Sequence, residues 1–245
     1  MAAFLNAVSV AADLLYPRNC LVCEHTVLPE GQKGVVCPSC RSEAKFISPP
    51  CCDRCALPFP GAIDTHFVCG YCKDLKFHFS RTYAVCRAEG VVRTCIHRFK
   101  YSREIYFARH LEEWFVEGAV RWAIDWSLVD ALVPVPLYSR KLREREFNQA
   151  EYLARALSRA VGKPVLNGHL RRDRDTGTQT KLDARHRAEN LRDAFSCRQG
   201  EALEGKRLVL VDDVFTTGAT VDGCAKVLRR AGVAEVWVLV LARGV

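Results

Sequence analysis

Leu208-Val209-Leu210-Val211-Asp212-Asp213-Val214-Phe215-Thr216-Thr217-Gly218-Ala219-Thr220 decides the fold. Four consecutive apolar residues, entered from polar Glu204-Gly205-Lys206 and left through two aspartates, predict a parallel strand buried on both faces. Val221, Cys224, Val227 and Leu228 then fall on one helical face, so the order is strand, tight loop, helix. A loop that opens a helix presents N–H groups without intrahelical acceptors, together with the positive end of the dipole, and this suits a phosphate. The hydroxyls of Thr216, Thr217 and Thr220 add donors, and Gly218 lets the backbone come close. Asp212 and Asp213 stand where the neighbouring part of the same ligand would lie, and carboxylates accept hydrogen bonds from vicinal sugar hydroxyls. A phosphate cup beside a diol clamp describes a ribose 5-phosphate site. The plainer alternative, a buried strand with a polar helix cap, explains Thr220 but not two adjacent acids, whose burial is costly unless something pairs with them.

With 245 residues, 49% hydrophobic and 26% charged, the composition is that of an ordinary globular protein with room for a medium domain and a small one. No apolar run is long enough to cross a bilayer. The stretch Met1 to Leu15 has no basic residue before its apolar part and carries Asp13, so it fails as a signal peptide and a cytoplasmic protein is expected. In that compartment the 13 cysteines are expected as thiols or metal thiolates rather than disulfides. The net charge of +8 is uneven: Ser139 to Asp193 holds fourteen Arg or Lys against eight Asp or Glu. Such a concentration favours a polyanion, either nucleic acid or a polyphosphorylated small molecule.

Residues 3 to 15 place Phe4, Leu5, Val8, Ala12 and Leu15 on one face of a short helix stopped by Pro17, expected to pack on the rest or else to bind a partner. Four Cys-x-x-Cys pairs follow: Cys20/Cys23, Cys37/Cys40, Cys52/Cys55 and Cys69/Cys72. Each pair can wrap one side of a tetrahedral metal, and two pairs complete Zn(Cys)4. Thirteen residues separate the first pair from the second and thirteen the third from the fourth, which argues for two successive zinc ribbons instead of one cross-braced module. Prolines interrupt this stretch repeatedly, so metal would supply its missing folding energy. Four sulfurs leave no open position, so the two Zn2+ read as structural; redox chemistry of Cys-x-x-Cys is the competing possibility. Cys51, Cys86, Cys95, Cys197 and Cys224 fall outside the pattern, as small buried residues or spare thiols. The expected division is a helix over 1–17, a double zinc ribbon over 18–77 and an α/β domain over 78–245.

Within that domain, Arg81 to Cys86 predicts a strand and Gly90 onward a helix with Val91, Val92, Cys95, Ile96 and Phe99 inside. A second helix, Glu104 to about Ala123, is expected to bury Leu111, Trp114, Phe115 and Val120. His97 and His110 are expected as surface or partly satisfied side chains rather than ligands. Ala131 to Pro136 predicts another buried strand, leading through basic Tyr138 to Glu146 into a helix that reaches Val161. A basic loop at a strand end directs a second anion site to the carboxyl edge of the sheet. Residues 171 to 195 are the longest polar stretch, which composition alone reads as a solvated charged linker. Glu235 to Ala242 predicts the last strand, and the alternation gives a doubly wound parallel sheet flanked by helices.

The strand, acid pair and Thr-Thr-Gly loop resemble the PRPP-binding signature of type I phosphoribosyltransferases. Val133-Pro134-Val135-Pro136-Leu137, Arg143-x-Arg145-x-Phe147-Asn148-Gln149-Ala150, the Cys-x-x-Cys head and Ile96-His97-Arg98-Phe99-Lys100-Tyr101 are similar, in order as well as in motif, to the ComF family. These are competence-associated, phosphoribosyltransferase-like proteins that include GntX-type relatives. The resemblance implies that Asp212 and Asp213 hold the ribose hydroxyls and favour an oxocarbenium-like centre, and that Thr216, Thr217, Gly218, Ala219 and Thr220 cup the 5-phosphate. It also implies that Arg140 and Lys141 meet the pyrophosphate with Mg2+, that Lys100 and Arg187 assist the leaving group, and that residues 171–195 correspond to a mobile flap. A non-catalytic PRPP sensor that binds single-stranded DNA or DNA-uptake proteins is the second expectation. Glu146 stands where the family pattern has glycine, so a left-handed conformation there would be strained.

Overall fold

The computed structural model describes residues 19–25, 34–61, 67–175, 194–198 and 203–244. The expected helix over 3–15, Arg187 and most of the polar stretch lie outside them. After short helices α1 (Pro38–Ser42) and α2 (Gly70–Lys73), the chain forms β1 (Arg81–Arg87), α3 (Gly90–Tyr101), α4 (Ala108–Arg121), β2 (Ala131–Pro134), α5 (Ser139–Arg145) and α6 (Gln149–Val161). It continues through β3 (Leu170–Arg172), β4 (Phe195–Cys197), β5 (Arg207–Phe215), α7 (Ala219–Arg230) and β6 (Glu235–Arg243). The main sheet has the order β1-β6-β5-β2 and every pairing in it is parallel.

The apolar runs occupy the sheet because both of its faces are covered. Side chains alternate along a strand, so Val209 and Val211 of β5 enter one core with Leu239, Leu241 and the inner faces of α3, α4 and α6. Leu208 and Leu210 enter the other, with Val236, Val238 and the α7 residues Val221, Cys224 and Leu228. Each such leucine or valine contributes about 1.5–3 kcal/mol by leaving water. Val120, expected inside α4, is 63% exposed; Leu111, Trp114 and Phe115 define a stripe that continues through Gly118 and Ala119, which turns Val120 outward. At Gly118 a Cβ would lie 2.2 Å from Val85 Cγ1, so this helix needs glycine to reach the sheet.

The polar stretch is pinned at its base, a feature its composition did not signal. Leu170, Arg171 and Arg172 pair antiparallel with Cys197, Ser196 and Phe195, and the Asp173 N–H donates to the Ala194 carbonyl at 2.9 Å. Three-residue strands carry no readable periodicity, so sequence pattern passes over them.

Candidate functional site

The sheet delivers Asp212 and Asp213 at the carboxyl end of β5, and the chain then turns through Thr216, Thr217 and Gly218 into α7. Gly218 has φ +83°, and a Cβ there would stand 2.6 Å from Phe215 Cζ. Only glycine satisfies both the left-handed backbone and the ring beneath it. Asp212, Phe215 and Thr216 to Thr220 line a cup of about 220 Å³, counting its open mouth. The Asp222 N–H donates to the Gly218 carbonyl at 2.8 Å, closing the first turn. Ahead of it the Ala219 N–H meets the Thr217 hydroxyl oxygen at 3.5 Å, and the remaining first-turn amides have no acceptor within the helix. Thr216 is exposed and Thr217, Ala219 and Thr220 are half-buried, so the turn stays accessible from solvent.

The two acids differ in environment. Asp213 is buried, and its Oδ2 stands 2.7 Å from Lys100 Nζ at the end of α3. Asp212 accepts the Asp213 N–H at 2.8 Å and faces the cup. Burial, and then the Asp213 charge, push the Asp212 carboxyl up to about 7, against the opposing pull of Lys100 and Arg172. A carboxylate kept this short of compensating charge suits a partner that brings hydroxyl donors or a cation.

Lys141, on α5, is partly buried, and burial followed by the Arg172 charge lowers its pKa. Arg140 is largely exposed and pairs with Asp175 just beyond β3. Lys100, expected among the donors to a leaving group, is committed to Asp213 in this structure. Arg172, which sequence reasoning passed over, packs its guanidinium 5.4 Å from the Phe195 ring centroid and interacts electrostatically with Asp212. The parallel bridge between Tyr138 and Arg172 brings the amino end of α5 beside β3, so Lys141 and Arg172 serve one flank. A cation at the start of a long polar stretch was the available signal, but Arg171, Arg172 and Arg174 were indistinguishable without the pairing register. Glu146 does adopt the left-handed conformation, φ +69°, where it ends α5 and donates its N–H to the Leu142 carbonyl at 2.7 Å. Asn148 caps α6 by accepting the Ala150 N–H, while its own amide donates to the Val135 carbonyl at 3.0 Å, tying the basic loop to the end of β2.

The eight paired cysteines form two tetrads, Cys20/Cys23/Cys37/Cys40 and Cys52/Cys55/Cys69/Cys72, with the sulfurs in each all within 4.8 Å of one another. This is the successive pairing that the thirteen-residue repeat argues for. Main-chain N–H groups of Val22 and Cys37 point at Cys20 Sγ (3.4 and 3.3 Å), and that of Cys69 at Cys52 Sγ (3.3 Å). Four soft donors, nearly all buried, with amides already directed at the sulfurs, fit Zn2+ in closed structural sites. Among the described residues the cysteines are free of disulfides. Cys86, Cys95 and Cys224 are buried, while Cys51 and Cys197 are only partly so. His110 is fully buried, and it is the partly satisfied side chain of the two expected forms: its Nε2 accepts the Val35 and Val36 N–H groups at 3.0 and 3.2 Å, joining α4 to the first ribbon, while Nδ1 has no hydrogen-bond partner among the described residues.

A parallel α/β sheet with a strand-turn-helix cup, joined to two cysteine tetrads, defines a phosphoribosyltransferase domain with a double zinc ribbon. Residues 147–244 match the model of the phosphoribosyl transferase domain and residues 11–91 that of the double zinc ribbon domain. The chain belongs to the ComF family of competence proteins. It is 33% identical to Competence protein F of Haemophilus influenzae over 86% of this chain and 91% of that one. It is 34% identical to the DNA utilization protein YhgH of Escherichia coli over 94% and 99%, and 28% identical to Competence protein ComFC of Bacillus subtilis over 80% and 79%. No helix among the described residues is long and apolar enough to cross a membrane.

Proposed function

We propose that this protein binds PRPP and transfers its ribosyl phosphate to an acceptor. The observation that carries the reading is the juxtaposition of an open threonine cup with Asp212, whose raised carboxyl lacks compensation, and Asp213, held by Lys100. In this reading the Thr216–Thr220 turn and the first-turn amides of α7 hold the 5-phosphate. Asp212 and Asp213 accept the ribose hydroxyls, and their charge stabilises the oxocarbenium character that grows as the C1–O bond to pyrophosphate breaks and the acceptor bond forms. Lys141 and Arg172 face the departing pyrophosphate, and Arg140 and Arg187 are candidates for the same task. Hard carboxylate oxygens beside a polyphosphate suit Mg2+, which when bound would neutralise phosphate charge.

Isothermal titration with PRPP and Mg2+ tests the reading. Saturable binding by the wild type is expected, lost in the D212N/D213N double variant. A wild type that binds nothing, or a double variant that binds equally well, overturns it.

A second reading, a sensor that engages single-stranded DNA, is favoured by one surface. Tyr101, Ile105 and Tyr106 are each about half exposed, and Arg145 of the basic α5 lies 5.1 Å from the Tyr101 ring centroid. In this reading bases would stack on the exposed aromatic rings of Tyr101 and Tyr106, next to the basic segment. The names of the YhgH and competence relatives agree with this direction. Oligonucleotide affinity that falls steeply with added salt, and further in a Y101A/Y106A variant, is the expected result; salt-independent affinity counts against it.

A further inference from the structure

Arg243 ends β6 and is only 8% exposed. A buried guanidinium is unfavourable unless its fork is satisfied. Here Nε donates to the Cys55 carbonyl at 2.8 Å, and Nη1 reaches the Phe215 carbonyl at 3.4 Å and the Gly244 carbonyl. The guanidinium carbon also lies 5.2 Å from the Phe215 ring centroid. Cys55 belongs to the second tetrad, whereas Phe215 is the residue from which the threonine turn springs and whose ring lies beneath Gly218. Phe79, in the segment leading out of the second ribbon, meets the same ring edge-on at 6.2 Å.

We propose that Arg243 is a positioning residue through which the second cysteine tetrad sets the floor of the phosphate cup. The inference rests on the sugar-phosphate reading of that cup. Phe215 can shift in two ways, along its backbone or by rotating its ring, and Arg243 opposes both, because one planar group grips the carbonyl and stacks on the ring. Its other end is fixed by a main-chain carbonyl within a metal knuckle, which moves little while the four sulfurs are held. Lysine keeps the charge but cannot bond two separated carbonyls and cover the ring at once. The first tetrad packs on the opposite face of the sheet and lacks this connection among the described residues.

The test uses the full chain with both zinc ions, comparing wild type, R243M, R243K and R207M. Arg207 pairs with Glu235 at the amino end of the same strands, far along β5 from the cup, so R207M controls for general loss of sheet stability. PRPP affinity in the presence of Mg2+ is expected to fall about tenfold in R243M and about threefold in R243K, with two zinc ions per chain throughout and R207M unchanged. Amide hydrogen exchange without ligand is expected to quicken at Thr216–Thr220 in both Arg243 variants and not in R207M. If R243M does not fold, R243K and its exchange pattern decide. Affinity and exchange in the Arg243 variants equal to those of R207M overturn the proposal. Should the wild type bind no PRPP, the transferase reading falls, and the exchange comparison alone still decides whether Arg243 braces the turn.

Discussion

Asp212 carries the least favourable electrostatics at the cup. An aspartate held above its ordinary value binds its proton more tightly in the folded chain than in the unfolded one. Between pH about 4 and about 7 the folded state therefore holds more protons, and stability falls as pH rises through that window. D212N is expected to melt higher than wild type at pH 8, with the difference shrinking towards pH 5; a gap of equal size at both values would contradict the assignment. The same ionisation turns the side chain into a full acceptor for sugar hydroxyls, so PRPP affinity should rise with pH through about 7. The position of both acids at the end of a buried strand was legible in the sequence because an apolar run stops at them. Arg172 and Arg243 were not, because their meaning comes from partners 40 to 188 positions away, on Asp212 and Cys55, that only the fold brings near.

At the scale of elements, the turn between β5 and α7 works through the exclusion of a single methyl group. G218A would force a left-handed alanine, costing about 1–2 kcal/mol, against a ring that Arg243 and Phe79 hold in place. The expected outcome is a chain destabilised by about 2–3 kcal/mol in urea titration and stripped of PRPP binding, since overpacking a fixed neighbour adds a further penalty. Long periodic elements such as β5, β6, α3 and α6 were readable from apolar spacing alone. The β3/β4 pair was not, because three residues give no period, and α4 was misjudged at Val120 because the small residues Gly118 and Ala119 carried the buried stripe. The left-handed Glu146 is a case where the missing glycine itself was the clue: the chain keeps the turn and bears the strain, offset in part by the exposed ion pair with Arg103 at 3.3 Å.

For the whole molecule, the two tetrads are not appendages. Cys20, Cys37 and Cys40 belong to the core under α3 and α4, and Cys52, Cys55, Cys69 and Cys72 to the one under α7. The Ile47 N–H donates to the Val85 carbonyl, and the Arg87 N–H to the Lys45 carbonyl, so the segment after the first ribbon covers the outer edge of β1. Zinc removal should therefore lower the melting temperature of the entire chain, by about 10 °C or more, in one cooperative transition. Two separate transitions, with the α/β domain melting where it did before chelation, would refute that coupling. Cysteine spacing announced the ribbons; their burial against both faces of the sheet depends on tertiary contacts that no spacing encodes.

The strand order has one further effect. β6 pairs with β1 on one side and β5 on the other, yet it follows both in the chain. During synthesis β1 and β5 must wait, each lacking β6 as a neighbour, until residues 235–243 leave the ribosome. A nascent chain stalled before that point would expose two bare flanks of apolar sheet to the chaperones and proteases around it.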